Sequence, residues 1–158
     1  MSTFNTSMIY VLKNGYTLAS KILAQTGSDG SLSMVNANNV TSDSLWFLTP
    51  TNTAQRYRLH TITNGVQRSL DVINNNGVDS TGLHLTETGN YLGQYWQFSR
   101  SPLSQHPEYE YRLTNSFTGP NKFLDVYFDT TEAFLSDGLH TGQYWQLIPA
   151  NTVIVRTS

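Results

Sequence analysis

The strings GQYWQF (residues 93–98) and GQYWQL (residues 142–147) differ only in their last letter, and they carry Trp96 and Trp145. A third tryptophan, Trp46, precedes them, so the indoles lie 50 and 49 residues apart. A period of that length marks one supersecondary unit used three times. A unit of about 50 residues buries too little apolar surface to be stable alone, whereas three around one axis share a core.

The match extends outward from the tryptophans. Tyr57-Arg58-Leu59 through Ser69-Leu70-Asp71-Val72 aligns without a gap on Tyr111-Arg112-Leu113 through Phe123-Leu124-Asp125-Val126. The first repeat has a shorter version, Tyr10-Val11-Leu12 and then Tyr16-Thr17-Leu18-Ala19. Each unit reads as a strand, a turn at Asn14-Gly15, Asn64-Gly65 or Thr118-Gly119, and a second strand. A third short strand follows at residues 32–35, 83–85 and 134–135, and the tryptophan strand closes the unit. Along these strands, side chains alternate between two faces: Leu70 and Val72 share one, Asp71 takes the other.

No long segment combines a helical apolar period with caps, so little or no α-helix is expected. The predicted fold is all-β: a β-trefoil of three pseudo-repeats, about 12 strands, as a single domain over residues 1–158. The repeats fall near residues 6–50, 55–100 and 108–150. A closed barrel capped by hairpins removes exposed sheet edges. A three-bladed propeller falls below the usual roughly four to eight blades. Residues 99–110, with Pro102 and Pro107, read as a surface loop linking repeats two and three.

Composition narrows the partners. Only 13% of residues are charged and the net charge is −2, which provides no field to gather nucleic acid or anionic lipid. No apolar run approaches the roughly 20 residues of a membrane span, so neither nucleic-acid binding nor membrane insertion is expected. The surface is neutral and polar, rich in Asn, Thr, Ser and Gly, and suits hydrogen bonding to neutral polyols. A homo-oligomer is compatible with it. There is no cysteine, and the first residues lack the basic and apolar regions of a signal peptide. Cytoplasmic synthesis is expected, with non-classical secretion as an open route.

Catalytic signatures are lacking. His60, His84, His106 and His140 show no metal-ligand spacing, and there is no Gly-x-Ser-x-Gly elbow or phosphate loop. The run Asp71-Val72-Ile73-Asn74-Asn75-Asn76-Gly77 lacks the alternating ligands and distal Glu of a calcium loop. Asp71 and Asp125 would fall in separate pockets of a threefold fold, beyond the spacing of a glycosidase pair. No enzyme activity, metal or cofactor is expected.

Leu-Asp-Val followed by a loop-rich stretch and Gln-x-Trp resembles the repeat of ricin B-type β-trefoil lectins. The likeness covers nearly the whole chain. It is strong in repeat two (Leu70-Asp71-Val72, Gln94-Tyr95-Trp96) and repeat three (Leu124-Asp125-Val126, Gln143-Tyr144-Trp145). It is weak in repeat one, where Leu18-Ala19-Ser20 and Ser44-Leu45-Trp46 stand instead. The cysteine-free GQYWQ form is most similar to fungal members. The resemblance implies that Gln and Trp of Gln-x-Trp are structural, and that Asp71 and Asp125 accept sugar hydroxyls. It places Ala19 at that position in repeat one, which would leave the repeat without a site. Glycans containing galactose or N-acetylgalactosamine are the implied partners.

The chemistry fits such a site, because a fixed carboxylate accepts two hydroxyl bonds while an aromatic ring covers the sugar's C–H face. The aromatic partner is open: His84 in repeat two and Phe134 in repeat three stand at the outward position, with Tyr127 and Phe128 as rivals. Asn74, Asn90, Tyr91 and His140 offer further contacts. Gly93 and Gly142 replace an Asn the family often has before Gln-x-Trp. Two other readings stand beside this one. Asp71 and Asp125 could bond nearby turn backbone instead. The chain could also be a protein-binding trefoil, such as a protease inhibitor acting through residues 101–110.

Overall fold

The computed structural model describes residues 4–100 and 110–150. The first repeat comprises β1 (Tyr10–Asn14), β2 (Leu18–Gln25), β3 (Leu32–Asn36) and β4 (Trp46–Pro50). The second has β5 (Tyr57–Thr61), β6 (Arg68–Val72), β7 (Leu83–Glu87) and β8 (Trp96–Arg100). The third has β9 (Tyr111–Asn115), β10 (Phe123–Val126), β11 (Ala133–Ser136) and β12 (Trp145–Pro149). Among the described residues there is no α-helix, only four three-residue 3-10 turns. Two of these, Leu92–Gln94 and Thr141–Gln143, lead into the tryptophan strands.

The first and fourth strands of the repeats pair antiparallel in a ring, β1–β4–β5–β8–β9–β12 and back to β1. The second and third strands form hairpins β2–β3, β6–β7 and β10–β11. Strict apolar alternation drives the hairpins inward: Leu32 and Met34, Leu83 and Leu85, Ala133 and Leu135 are buried while their neighbours are half-exposed.

A cyclic set of bonds locks the hairpins together. Leu85 N–H donates to Gly30 C=O at 2.9 Å, Leu135 N–H to Thr81 C=O at 2.8 Å, and Met34 N–H to Thr131 C=O at 3.1 Å. Each repeat thus grips the next at one equivalent position, and the cap closes on itself. This satisfies backbone groups that the short strands would otherwise leave buried and unpaired.

The three indoles are fully buried. Each donates its N–H to a second-strand carbonyl: Trp46 to Leu23 at 2.9 Å, Trp96 to Leu70 at 3.0 Å and Trp145 to Leu124 at 3.0 Å. Burial of so large a side chain is stable only with that polar edge satisfied. At the opposite end of the barrel Phe4 packs against Phe98 at 4.6 Å, Tyr111 at 5.1 Å and Tyr57 at 5.9 Å.

These indole bonds correct the alignment of repeat one. Leu23, not Leu18, is the counterpart of Leu70 and Leu124, and it faces Met34 as they face Leu85 and Leu135. The position of Asp71 and Asp125 is therefore Ala24 rather than Ala19. The cause is a register shift between Lys13 and Asn14, where Lys13 pairs with Ile22 but Asn14 with Leu18. A bulge there absorbs the extra residues of the eight-residue β2. The loop assigned to protein binding lies, apart from Glu110, outside the described residues.

Candidate functional site

Asp71 and Asp125 occupy one position in their repeats, directly across the ladder from His84 and Phe134. The alternation that buries Leu70 and Val72 sets each acid on the hairpin's other face, yet both acids are buried, at 8% and 4% exposure. The hairpin's outer face is covered by the 3-10 turn that precedes each tryptophan strand. The carboxylates are thus floor groups of grooves rather than surface charges.

Each is held by two internal bonds. Asp71 accepts from Val72 N–H at 2.7 Å and from Gln94 Nε2 at 3.1 Å. Asp125 accepts from Val126 N–H at 2.7 Å and from Ser136 Oγ at 2.6 Å, and Gln143 Nε2 in turn donates to Ser136 Oγ at 3.0 Å. The glutamines also tie down backbone: Gln94 Nε2 donates to Glu87 C=O at 2.9 Å, and Gln143 Nε2 to Asp137 C=O at 3.1 Å. A carboxylate offers about four lone-pair sites, so each keeps acceptor capacity toward its groove. Burial raises the Asp71 pKa above the ordinary value, opposed by the Gln94 and Val72 bonds. Burial lowers that of His84, opposed by the charge of Asp71.

The glycines before Gln-x-Trp follow from this packing. A Cβ on Gly142 would lie 2.1 Å from Asp125 Oδ1, and one on Gly93 would lie 2.3 Å from Asp71 Oδ1. The carboxylate fills the space a side chain would need. An Asn there would require the acid to leave this rotamer.

Two separate grooves open beside the acids. The one in repeat two holds about 300 Å³ and brings together Asp71, Asn74 and Tyr91, with Asn90 and Leu92. His84, although opposite Asp71, does not line it. The groove in repeat three holds about 520 Å³ and gathers Asp125, Tyr127, Phe128, Phe134 and His140. Both volumes lie in the range of small-ligand sites. Tyr127 stacks on Phe134 at 3.8 Å and 6°, so one face of Phe134 is taken and the pair acts as a single platform. Tyr127 is 42% exposed and Phe128 78%. A tight turn presents them, with Tyr127 N–H donating to Glu132 C=O at 3.0 Å and its C=O accepting from Thr131 N–H at 2.9 Å.

Two of the groove-lining residues that sequence reasoning missed come from neighbouring repeats. Phe117 of repeat three lines the repeat-two groove, and Tyr16 of repeat one lines the repeat-three groove. Both lie two residues beyond the end of a first strand, after Asn115 and Asn14, whose side chains accept their N–H groups at 2.9 and 2.8 Å. The shared Asn-x-aromatic spacing was the available signal. Repeat one has Ala24 opposite Ser33 and Asp43 where the others have glycine. Thr63, the counterpart of Tyr16 and Phe117, donates to Asp43 at 2.6 Å. Neither acid nor aromatic ring stands at the equivalent positions.

No protein-family model and no curated protein sequence matches the chain. Solved structures do, and they define its class as a β-trefoil. The BEL β-trefoil superposes with a TM-score of 0.72 at 14% identity, covering 94% of this chain and 97% of that one. The Polyporus squamosus lectin, bound to the epitope Neu5Acα2-6Galβ1-4GlcNAc, gives 0.71 at 16% identity over 92% of this chain and 50% of that one. SeviL, bound to the asialo-GM1 saccharide, gives 0.65 at 14% identity over 90% and 98%. The chain spans only 16% of a mosquitocidal holotoxin that it also matches. At these identities the likeness is one of fold.

Proposed function

We propose that the protein is a non-enzymatic carbohydrate-binding β-trefoil, related to the ricin B-type lectins and to their cysteine-free fungal members. It binds glycans through the grooves of repeats two and three. The observation that carries this reading is the repeat-three groove: a buried, prepositioned carboxylate beside an exposed aromatic platform. Asp125 accepts from sugar hydroxyls with charge-assisted bonds, and the Tyr127–Phe134 stack with Phe128 covers the sugar's C–H face. The repeat-two groove repeats the plan with Asp71, Asn74 and Tyr91. Single shallow sites are weak, and two on one molecule raise avidity on a multivalent surface.

Galactose- and N-acetylgalactosamine-type glycans are the preferred class. The resemblance supports this, as does the galactose within the ligand of the Polyporus lectin. Asp71 and Asp125 line different grooves, which supports binding without a catalytic carboxylate pair.

A glycan array with the wild-type protein and with Asp71→Ala, Asp125→Ala and the double variant tests the reading. Each single variant should lose part of the signal and the double variant all of it, with folding confirmed by circular dichroism. A wild-type array without glycan signal, or a folded double variant that keeps it, overturns the proposal.

A further inference from the structure

The repeat-three groove does not belong to repeat three alone. Its far wall is Tyr16, delivered by the β1–β2 turn of repeat one. Several contacts pin that turn to repeat three. Asn14 Nδ2 donates to Gly142 C=O at 2.7 Å, Gly15 N–H to Tyr144 C=O at 2.8 Å, and Tyr16 Oη to Phe128 C=O at 3.4 Å. Tyr16 is nevertheless 45% exposed, and Leu139, which lines the same groove, 59%. An aromatic ring so held, with a face left to solvent, is prearranged to stack on something and has little ordering entropy left to lose.

We infer that the repeat-three groove is an extended site of two subsites and that it selects an oligosaccharide over its terminal monosaccharide. Asp125 and the Tyr127–Phe134 stack take one sugar residue, and Tyr16 with Leu139 takes the next along the glycan. This deepens the carbohydrate-binding reading and rests on it. Continuity with the carboxylate floor favours a second sugar residue as occupant. Tyr16 lines the same groove as Asp125, so a glycan that extends from Asp125 toward repeat one has this ring within the groove. The contrast with repeat two agrees, since its groove is smaller, about 300 against 520 Å³. Its cross-repeat wall, Phe117, is only half-exposed and has no hydroxyl tie. The repeat-two site therefore serves a single residue.

The test is a site-resolved titration by nuclear magnetic resonance. The Gly142 and Thr141 amides report on repeat three and the Gly93 and Leu92 amides on repeat two. The probes are monosaccharides (methyl β-galactoside, N-acetylgalactosamine, N-acetylglucosamine, methyl mannoside) and disaccharides that end in each of them. At the repeat-three reporters, the matching disaccharide should bind at least about fivefold more tightly than its monosaccharide, as one added aromatic contact provides. Tyr16→Ala should bring that ratio near one by weakening the disaccharide more than the monosaccharide, and Tyr16→Phe, which keeps the ring but loses the tie to Phe128 C=O, should keep only part of it. The repeat-two ratio should stay near one in all three proteins. Equal affinities in the wild type, or a Tyr16→Ala effect that is absent or equal on both probes, overturns the two-subsite inference alone. Failure of every sugar at both sets of reporters overturns the carbohydrate reading and this inference with it.

Discussion

Substituting Gly142 by alanine should damage the repeat-three site through one atom. Gly142 is not in the left-handed region, so its backbone tolerates a side chain and the cost is steric. The new Cβ would lie 2.1 Å from Asp125 Oδ1 and 3.3 Å from its Cγ, and the carboxylate must swing away. It then gives up the 2.7 Å bond from Val126 N–H and the 2.6 Å bond from Ser136 Oγ. Buried bonds to a charged group contribute about 1.5–3 kcal/mol each, though the displaced acid recovers part through water. Reduced unfolded-state freedom returns about 0.4–1 kcal/mol. The net loss is about 1.5–3 kcal/mol. The double variant Gly142→Ala/Asp125→Ala removes the clash, so it should be no less stable than Asp125→Ala alone. Urea denaturation of the four proteins gives the coupling, expected at about 1.5 kcal/mol or more. Gly93→Ala meets Val72 N and Cβ at 3.2 Å as well as Asp71, so Asp71→Ala should rescue it only in part. Additivity within about 0.5 kcal/mol at Gly142 would refute the packing argument.

Three further outcomes follow from the same geometry. Trp46→Phe, Trp96→Phe and Trp145→Phe should each cost about 2–4 kcal/mol by urea denaturation, since each leaves a cavity and an unpaired carbonyl; widely different costs would argue against a shared threefold core. His60 is buried, with Nδ1 2.8 Å from Arg68 C=O and Nε2 2.7 Å from Thr49 Oγ1, and desolvation holds its pKa below the usual value. The unfolded chain therefore binds the proton first, and stability should fall as pH drops below about 6.5; a urea midpoint as steep in pH for His60→Gln as for the wild type would exclude this residue as a source. Because burial raises the Asp71 pKa, acidification should weaken ligand binding in the repeat-two groove at a higher pH than for an ordinary carboxylate, as read at the Gly93 amide.

The fold was legible because repetition multiplies a weak signal. One Gln-x-Trp says little, but three tryptophans at equal spacing demand equivalent environments, and the indole bonds to Leu23, Leu70 and Leu124 supply them. Repeat one was misaligned because Leu18-Ala19-Ser20 imitates the motif, while the bulge in β2 that moves the true position to Ala24 leaves no mark in composition. The acids were legible as positions but not as buried groups. Their burial comes from the loop packed over the hairpin, which a strand pattern cannot reveal. The grooves' second walls escaped because Tyr16 and Phe117 act on the repeat before them around the axis. Only closure of the barrel brings Tyr16, at one end of the chain, to Asp125 near the other.

The most direct measurement is a crystal structure of the protein with the strongest-binding glycan from the array. A sugar hydroxyl should lie within hydrogen-bond distance of Asp125, with its ring against Tyr127 or Phe128, and repeat one should carry none beside Ala24. A glycan seated elsewhere, for example in the cavity beside Phe4 and Tyr57 at the barrel's opposite end, with the Asp125 groove empty, would contradict the account.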